Sequence, residues 1–230
     1  MSADRNRLGL SRREAIAGAA AAGAGAGLYV LLRGGPDDAD SSEVVASAPH
    51  CVLAPEQTEG PYYVDNHLIR ADIRDGKKGV PLSLRLQVLD ASSCQPIRGA
   101  TVEVWHCDAV GNYSGFNAPG KSCRGGLRTS STGNVRFKTI YPGWYQGRTT
   151  HIHVKVHVSG KEIHTGQLFF DDSFTDTLFA STSPYSSRGT RNTRNANDSI
   201  YAGGGAQSTL VVAKTSSGYA STISMGVKRT

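Results

Sequence analysis

Several common architectural signals are missing from this 230-residue sequence. It has no long heptad pattern, which argues against an extended coiled coil, and no internal repeat, which argues against a solenoid. Its four cysteines include no Cys-x-x-Cys pair, so the usual spacing of a structural zinc site is missing. These absences favour one ordinary globular domain that follows the N-terminal region.

The formal net charge is +6, but the charge is not concentrated in one stripe. Seven of the arginines fall either near the N-terminus or in a Ser/Asn-rich stretch: Arg5, Arg7, Arg12, Arg13, Arg188, Arg191 and Arg194. Nucleic-acid binding would call for clustered basic residues with interleaved aromatics, and that pattern is missing. We therefore expect a solvated basic surface and no nucleic-acid partner.

Residues 1–35 have the layout of an export signal. Arg12 and Arg13 precede a weakly apolar run from Ala15 to Leu32, as in signal peptides. Ser11-Arg12-Arg13 resembles a twin-arginine signal, although Ala15 stands where that signal commonly has Phe. The run is close to the ~18 residues that a membrane span needs, so an uncleaved membrane anchor is the alternative. The prediction is an exported protein, secreted or held at the cell surface.

Residues 36–48 are rich in Asp, Ser and Ala and are predicted to be a flexible linker. Residues 49–230 are expected to form one domain. Within it, apolar residues alternate in short runs bounded by Gly and Pro, the pattern of half-buried strands: Leu82–Leu89, Thr101–His106, Val135–Ile140, Thr150–Val158, Ile163–Phe170 and Leu210–Lys214. The predicted fold is all-β, a β-sandwich of mostly antiparallel strands with long irregular loops and little helix. Residues 172–206 are expected to wrap the sandwich irregularly, with a short turn of helix.

The cysteines all follow the export segment, and an even number in an exported chain favours disulfides. Three pairings are compatible with the sequence. The preferred hypothesis joins Cys51 to Cys94 and Cys107 to Cys123.

His151 and His153 are the first candidate metal ligands. Residues two apart on a strand point to the same face, so both imidazoles are expected to project together. Two surface histidines would give the same pattern. Tyr145 follows the Pro142-Gly143 break, and Tyr113 lies in a loop after the strand that ends at Trp105; each is either a packed aromatic or a further ligand. A phenol binds as phenolate only to a strongly Lewis-acidic ion, which favours Fe(III) over Zn(II) or Fe(II).

Several ordered motifs make the candidate site more specific. They are Thr58-Glu59-Gly60-Pro61-Tyr62-Tyr63, Val104-Trp105-His106-Cys107-Asp108-Ala109, Gly111-Asn112-Tyr113-Ser114-Gly115-Phe116, Ile140-Tyr141-Pro142-Gly143-Trp144-Tyr145 and Arg148-Thr149-Thr150-His151-Ile152-His153. Together they resemble the intradiol ring-cleavage dioxygenases, which include catechol 1,2- and protocatechuate 3,4-dioxygenases. The resemblance runs from about Cys51 to Asp172 and continues more weakly through Asn195-Ala196-Asn197-Asp198.

The resemblance implies a β-sandwich enzyme with one non-haem Fe(III) per chain, acting on an aromatic diol and O2. Tyr113 and His151 match the equatorial ligands, and Tyr145 and His153 match the axial ones. Tyr145 is expected to leave the metal and take up a substrate proton. The other matches are Arg148, which would stabilise anionic charge on the ring, and Pro61, Tyr62 and Gln167, which would line the substrate pocket.

Two departures leave the substrate size and the oligomeric state open. The interval from Tyr145 to His151 is shorter than in the well-known intracellular members, and their long helical N-terminal region has no counterpart. Two other classes are considered. One is a non-catalytic binding module that uses Trp144, Tyr62 and Tyr63 as a sugar platform; the other is a zinc hydrolase built on the two histidines, which lacks a third ligand at suitable spacing.

Overall fold

The computed structural model describes residues 51–65 and 67–229. The predicted export segment and linker lie outside these residues, so both stay predictions, as does the domain boundary at residue 49. No helix in the described ranges is long and apolar enough to cross a membrane.

Within the described residues, nine strands and two α-helices make up the regular structure. The strands are β1 (Pro81–Asp90), β2 (Thr101–Trp105), β3 (Arg124–Arg128), β4 (Asn134–Ile140), β5 (His151–Val158), β6 (Lys161–Phe170), β7 (Thr209–Leu210), β8 (Val212–Thr215) and β9 (Gly218–Val227). The helices are α1 (Asp172–Ser181) and α2 (Ser199–Ala202), and three 3-10 turns lie at Tyr185–Arg188, Asn195–Asn197 and Gly205–Ser208.

The strands form two sheets, in agreement with the predicted β-sandwich. One has the order β4-β1-β9-β8 and the other β3-β2-β5-β6-β7. Five of the seven ladders are antiparallel, while β1–β9 and β6–β7 are parallel. The period-2 pattern explains the packing, because alternate residues of β1, β2, β4, β5 and β6 enter one shared apolar core. Core residues from the two sheets include Leu82, Leu84, Leu86, Val102, Val104, Phe137, Ile152, Val154, Val156 and Leu168.

Three elements differ from the expectations. β3 contains Gly125 and Gly126 and carries no apolar alternation, so it could not be found from the sequence. The final strand is not Leu210–Lys214: that stretch splits into β7 and β8, and β9 follows and pairs parallel with β1 inside its sheet. Residues 172–181 form a full ten-residue helix rather than a short turn, and its N-terminus is capped by the Asp171 side chain, which accepts a hydrogen bond from the Phe174 N–H.

An extended covering segment, residues 51–65, crosses the outer face of the β3-β2-β5-β6-β7 sheet. It begins beside β9, where the Ala54 N–H donates to the Gly226 carbonyl. It then contacts β6, where the Gln57 N–H donates to the Thr165 carbonyl. This segment closes the side of the sheet that faces away from the sandwich core.

The cysteines form one of the two expected disulfides. Cys51 is joined to Cys94, which ties the start of the covering segment to the turn after β1. The expected Cys107–Cys123 bond is absent, and both residues are buried free thiols. The His106 N–H donates to the Cys123 carbonyl, so residues 106 and 123 lie opposite each other and Cys107 points to the other face. Accordingly, Cys123 packs in the sandwich core and Cys107 packs with Trp105 and Tyr113.

Candidate active site

The floor of the candidate site is a row of four residues that lie opposite one another on four adjacent strands. Strand register aligns Arg124 of β3 with Trp105 of β2, Trp105 with His153 of β5, and His153 with Gln167 of β6. Directly opposed residues share a face, so all four project away from the sandwich core. The Trp105 and His153 rings stack, with centroids 4.8 Å apart and planes 5° from parallel.

Four candidate ligands converge on this floor. The Nε2 atoms of His151 and His153 lie 3.1 Å apart, and the Tyr145 hydroxyl lies 3.3 Å from His151 Nε2. Tyr113 is only 1% exposed, and its ring packs edge-on against Tyr145 at 5.6 Å. The Tyr113 hydroxyl is buried and has no hydrogen-bond partner in the described part of the chain. The structure thus brings together the four residues that the sequence pattern singled out.

His151 is prepared to bind a metal through Nε2. His151 Nδ1 lies 2.7 Å from the Thr149 carbonyl, which only accepts, so Nδ1 carries the proton and Nε2 presents its lone pair. Burial lowers the pKa of His151 to about 3, helped by the Arg148 charge. Burial also lowers the pKa of His153 well below its ordinary value, and the nearby His151 adds to this. Both rings are therefore neutral at physiological pH, as metal binding requires.

The two phenols restrict which metal ions the four donors can bind. Burial raises the pKa of Tyr145 to about 12 and that of Tyr113 well above 10. Neither hydroxyl ionises at neutral pH by itself, so only a strong Lewis acid can bind them as phenolates. Two neutral imidazoles and two potential phenolates, including the unpartnered hydroxyl of Tyr113, fit a hard trivalent ion such as Fe(III).

Arg148 lies beside the four donors in a fixed orientation. Its Nε donates to Asp198 at 2.9 Å, and its Nη2 donates to the Gln167 side-chain carbonyl at 2.5 Å. The Gln167 amide in turn donates to the Thr58 carbonyl at 2.8 Å. This network links the cation to the sheet floor and to the covering segment.

Asp198 is a site residue to which sequence reasoning gave no role. It is 3% exposed and accepts from Arg148 Nε and from the backbone N–H groups of Thr149, Ile200 and Tyr201. Burial acts to raise its pKa, but the hydrogen bonds from Thr149, Tyr201 and Arg148 outweigh it and lower the pKa below the ordinary value. The sequence offered two signals for it: Asp198 ends the weaker continuation of the family resemblance, and it is an acidic residue before Ser199-Ile200, as in an N-cap.

The covering segment supplies the wall above the donors. The Tyr62 ring stacks on Tyr113 with centroids 4.3 Å apart and meets Tyr145 edge-on at 5.8 Å. Pro61 is exposed next to it. Gly60 has a φ of +68°, and a Cβ there would meet the His153 ring at 3.3 Å, so glycine allows the segment to approach the imidazole closely. Pro61 and Tyr62 therefore lie beside the candidate ligands, and their contact with a substrate stays a prediction.

The aromatics proposed for a sugar platform are engaged in other contacts. The Tyr63 hydroxyl donates to Glu103, and its ring packs against Trp105 and under the Lys155 ammonium. The Arg188 guanidinium covers the Trp144 ring at 4.7 Å. The Tyr62 ring also stacks on Tyr113. Trp144, Tyr62 and Tyr63 therefore do not form a flat row of free ring faces.

Comparison with known proteins agrees with this geometry. A family model described as dioxygenase matches residues 58–201, which include all four candidate ligands. Chlorocatechol 1,2-dioxygenase of Cupriavidus pinatubonensis is 32% identical over 141 residues, covering 49% of this chain and 53% of the relative. Catechol 1,2-dioxygenase 2 of Acinetobacter lwoffii is 33% identical over 157 residues, covering 63% and 53%. The chain thus spans about half the length of the curated relatives it matches.

Solved structures give wider coverage. An intradiol ring-cleavage dioxygenase from Tetranychus urticae superposes with a TM-score of 0.74 at 33% identity, covering 77% of this chain and 95% of that one. The dioxygenase domain of a dioxygenase–carbohydrate-binding protein fusion from Streptomyces sp. SirexAA-E superposes with a TM-score of 0.61 at 27% identity, covering 78% and 100%. On the family match, the shared fold and the ordered motifs, this chain belongs to the intradiol ring-cleavage dioxygenase family.

Proposed function

We propose that this protein is an Fe(III)-dependent dioxygenase that cleaves catechol-type rings between their two hydroxyl-bearing carbons, using O2. The products would be muconate-type dicarboxylic acids. The observation that carries the proposal is the convergence of two imidazoles and two phenols on one point of the sheet face, with the Nε2 atoms 3.1 Å apart and a buried, unpartnered Tyr113 hydroxyl. The names of the relatives support the catechol class of substrate.

Tyr113, Tyr145, His151 and His153 would hold the iron. When bound, the iron supplies the Lewis acidity that makes a coordinated catechol reactive toward O2. The protein's part is to fix the donors, orient the ring and limit water. Three of the donors are nearly fully buried, and the Trp105 ring stacked on His153 restricts the rotation of that imidazole.

Tyr145 is the donor best placed to accept the substrate proton. It is half-buried, whereas Tyr113 is almost fully enclosed under Tyr62. Burial raises the pKa of Tyr145 to about 12, so its phenolate would have a high affinity for a proton. Tyr145 therefore acts as the general base toward the catechol hydroxyl.

Arg148 would stabilise negative charge that develops on the ring. Because Asp198 and Gln167 hold its guanidinium in place, little reorganisation is needed when that charge forms. Gln167 also connects Arg148 to the Thr58 carbonyl and so aligns the cation with the wall that contacts the ring.

The location of the activity is proposed from the sequence alone. The twin-arginine-type segment in residues 1–35 supports export of the protein. An enzyme outside the cytoplasm meets environmental aromatics, so lignin-derived catechols are the substrates we propose to test first. Fractionation of cells expressing the full chain, with and without Arg12→Lys and Arg13→Lys, tests export: retention of both forms in the cytoplasm would contradict it.

The zinc hydrolase alternative has little support. In residues 51–65 and 67–229, no group of three or more His, Cys, Asp or Glu side chains is placed to hold a metal. The groups nearest the two histidines are phenols, which are poor partners for Zn(II).

The decisive experiment is metal analysis and absorption spectroscopy of the protein purified after growth with iron. The expected result is about one iron per chain, a visible tyrosinate-to-Fe(III) band that bleaches on reduction, and O2 consumption with catechol. Tyr141→Phe is the matched control, because Tyr141 is another fully buried phenol that packs in the sandwich core and is hydrogen-bonded to Thr175, so its loss should leave the band unchanged. A colourless, iron-free protein that is inert toward catechol would overturn the proposal.

A further inference from the structure

Arg124 is a buried cation whose role is explained neither by the fold nor by the proposed reaction. It is 4% exposed, and it belongs to none of the ion pairs formed in the described part of the chain. A buried charge without a carboxylate partner is costly, so its other contacts must compensate. Those contacts all lead to the candidate site.

The Arg124 guanidinium joins two segments that are separate in the sequence. Its Nη1 donates to the Tyr62 carbonyl of the covering segment at 2.6 Å. Its Nε donates to the Ser114 carbonyl at 2.9 Å and to the Ser114 hydroxyl at 3.1 Å. Ser114 directly follows Tyr113, so one planar group connects the substrate wall to the loop that carries a metal ligand.

The same guanidinium packs against the aromatic rings that these segments present. It lies 5.7 Å from the Tyr113 ring centroid and 5.4 Å from that of Phe116. The Tyr62 ring stacks on Tyr113 on one side and meets Phe116 edge-on at 5.3 Å. Phe116 is 47% exposed, so this aromatic group extends from the buried ligand to the protein surface.

We propose that Arg124 is a positioning residue that holds the Tyr62 wall against the Tyr113 loop and thereby fixes the wall beside the place where catechol would bind. The inference rests on the proposed function, since the wall faces a substrate only if an aromatic ring binds there. Register supports it: Arg124 is the end residue of the row that continues through Trp105 and His153. The guanidinium is thus anchored on the same rigid sheet as the metal ligand.

The planar fork of arginine is the property that matters. A lysine at position 124 keeps the charge near the rings but cannot donate to Tyr62 and Ser114 in two fixed directions. A glutamine removes the charge and one of the two connections. We therefore expect the wall to lie closest to the Tyr113 loop in the wild type, further away in Arg124→Lys and furthest in Arg124→Gln.

The first test uses metal-free protein, so that it does not depend on the reaction. Hydrogen exchange is measured on peptides covering residues 58–65, with Arg70→Gln as the matched control. Arg70 is also an arginine that donates to backbone, at the Arg124 carbonyl, but it has no contact with the aromatic rings of the site. Arg124→Gln should speed exchange in this segment about tenfold, and Arg124→Lys less, while Arg70→Gln leaves it unchanged.

The second test measures anaerobic catechol binding to the iron-loaded variants, followed by steady-state kinetics. Arg124→Gln should weaken catechol binding and raise KM by about tenfold, with kcat within about twofold of wild type, and Arg124→Lys should recover part of the binding. Iron content and the visible band before catechol is added should match those of wild type.

Equal exchange in Arg124→Gln and Arg70→Gln would overturn the inference, whatever the enzyme does. So would a lowered kcat at unchanged KM, because Arg124 would then act on the reaction rather than on the position of the wall that contacts the substrate. If wild type holds no iron while Arg124→Gln still loosens residues 58–65, the proposed function fails but the link between the two segments stands.

Discussion

The Asp198 carboxylate offers the sharpest test of how the site is held together. Its two oxygens accept four hydrogen bonds: Oδ2 from Arg148 Nε at 2.9 Å and the Thr149 N–H at 2.8 Å, Oδ1 from the Ile200 N–H at 2.8 Å and the Tyr201 N–H at 3.0 Å. The first pair fixes the Arg148 guanidinium and the backbone of Thr149, two residues before the ligand strand β5 begins at His151. The second pair caps α2.

Asp198→Ala removes both functions at once. Breaking a buried ion pair from one side costs about 3–5 kcal/mol, because the remaining charge is left uncompensated. Loss of the cap adds about 1 kcal/mol. Asp198→Asn keeps an oxygen for the cap but loses the charge, so we expect a smaller cost of about 1–3 kcal/mol.

Urea denaturation of the full chain at pH 7 measures the free energy of unfolding. The kcat with catechol measures whether Arg148 still performs its proposed role once Asp198 no longer holds it. The double variant Arg148→Met/Asp198→Ala is the control: it leaves no unpaired cation, so it should be more stable than the sum of the single changes predicts. Because the pKa of Asp198 is lowered, its stabilising contribution is complete well above the ordinary value of 3.8 and is lost as pH falls through the folded-state pKa. A cost below about 1 kcal/mol for Asp198→Ala, with unchanged kcat, would refute the reasoning.

Three further predictions concern the ligand set, the core and the covering segment. Tyr145→Phe should keep most of the iron but shift the visible band and slow turnover, and an unchanged spectrum and rate would remove Tyr145 from the ligand set. Burial lowers the pKa of His106 to about 4, so the contribution of His106 to folding should weaken by about 2 kcal/mol between pH 7 and pH 5; in urea titrations His106→Gln should remove that part of the pH dependence and leave the part due to His151 and His153. The Cys51–Cys94 disulfide spans 43 residues, so replacing both cysteines with serine should cost about 4 kcal/mol in the chain-entropy model, whereas Cys107→Ser, which breaks no disulfide, reports only the cost of burying a hydroxyl.

Local pattern was sufficient to predict the strands on which the site is built. β1, β2, β4, β5 and β6 all carry apolar alternation, and their observed bounds lie within two residues of those expected. The alternation in β5 also predicts that His151 and His153 face away from the core, since Ile152 and Val154 must face into it. The β-sandwich follows from the same short-range signal.

Long-range strand pairing could not be predicted from local sequence patterns. β9 contains Gly, Ser and Thr between its apolar residues, and its place beside β1 depends on a parallel pairing across more than a hundred residues. Asp198 and Arg124 act through partners about fifty to sixty residues away, and no local period reports such contacts. The choice between a Cys107–Cys123 bond and two free thiols depended on β3, a strand without a sequence signal.

The row from Arg124 through Trp105 and His153 to Gln167 has a consequence for how this family can diversify. Neighbouring strands are separated by about 4.8 Å, so the distances between these four side chains are set by the backbone hydrogen bonds of the sheet. The loops that join the strands have no part in that spacing. Insertions and deletions in those loops can therefore reshape the entrance over evolutionary time, and admit rings of different size, while the distances along the row stay constant.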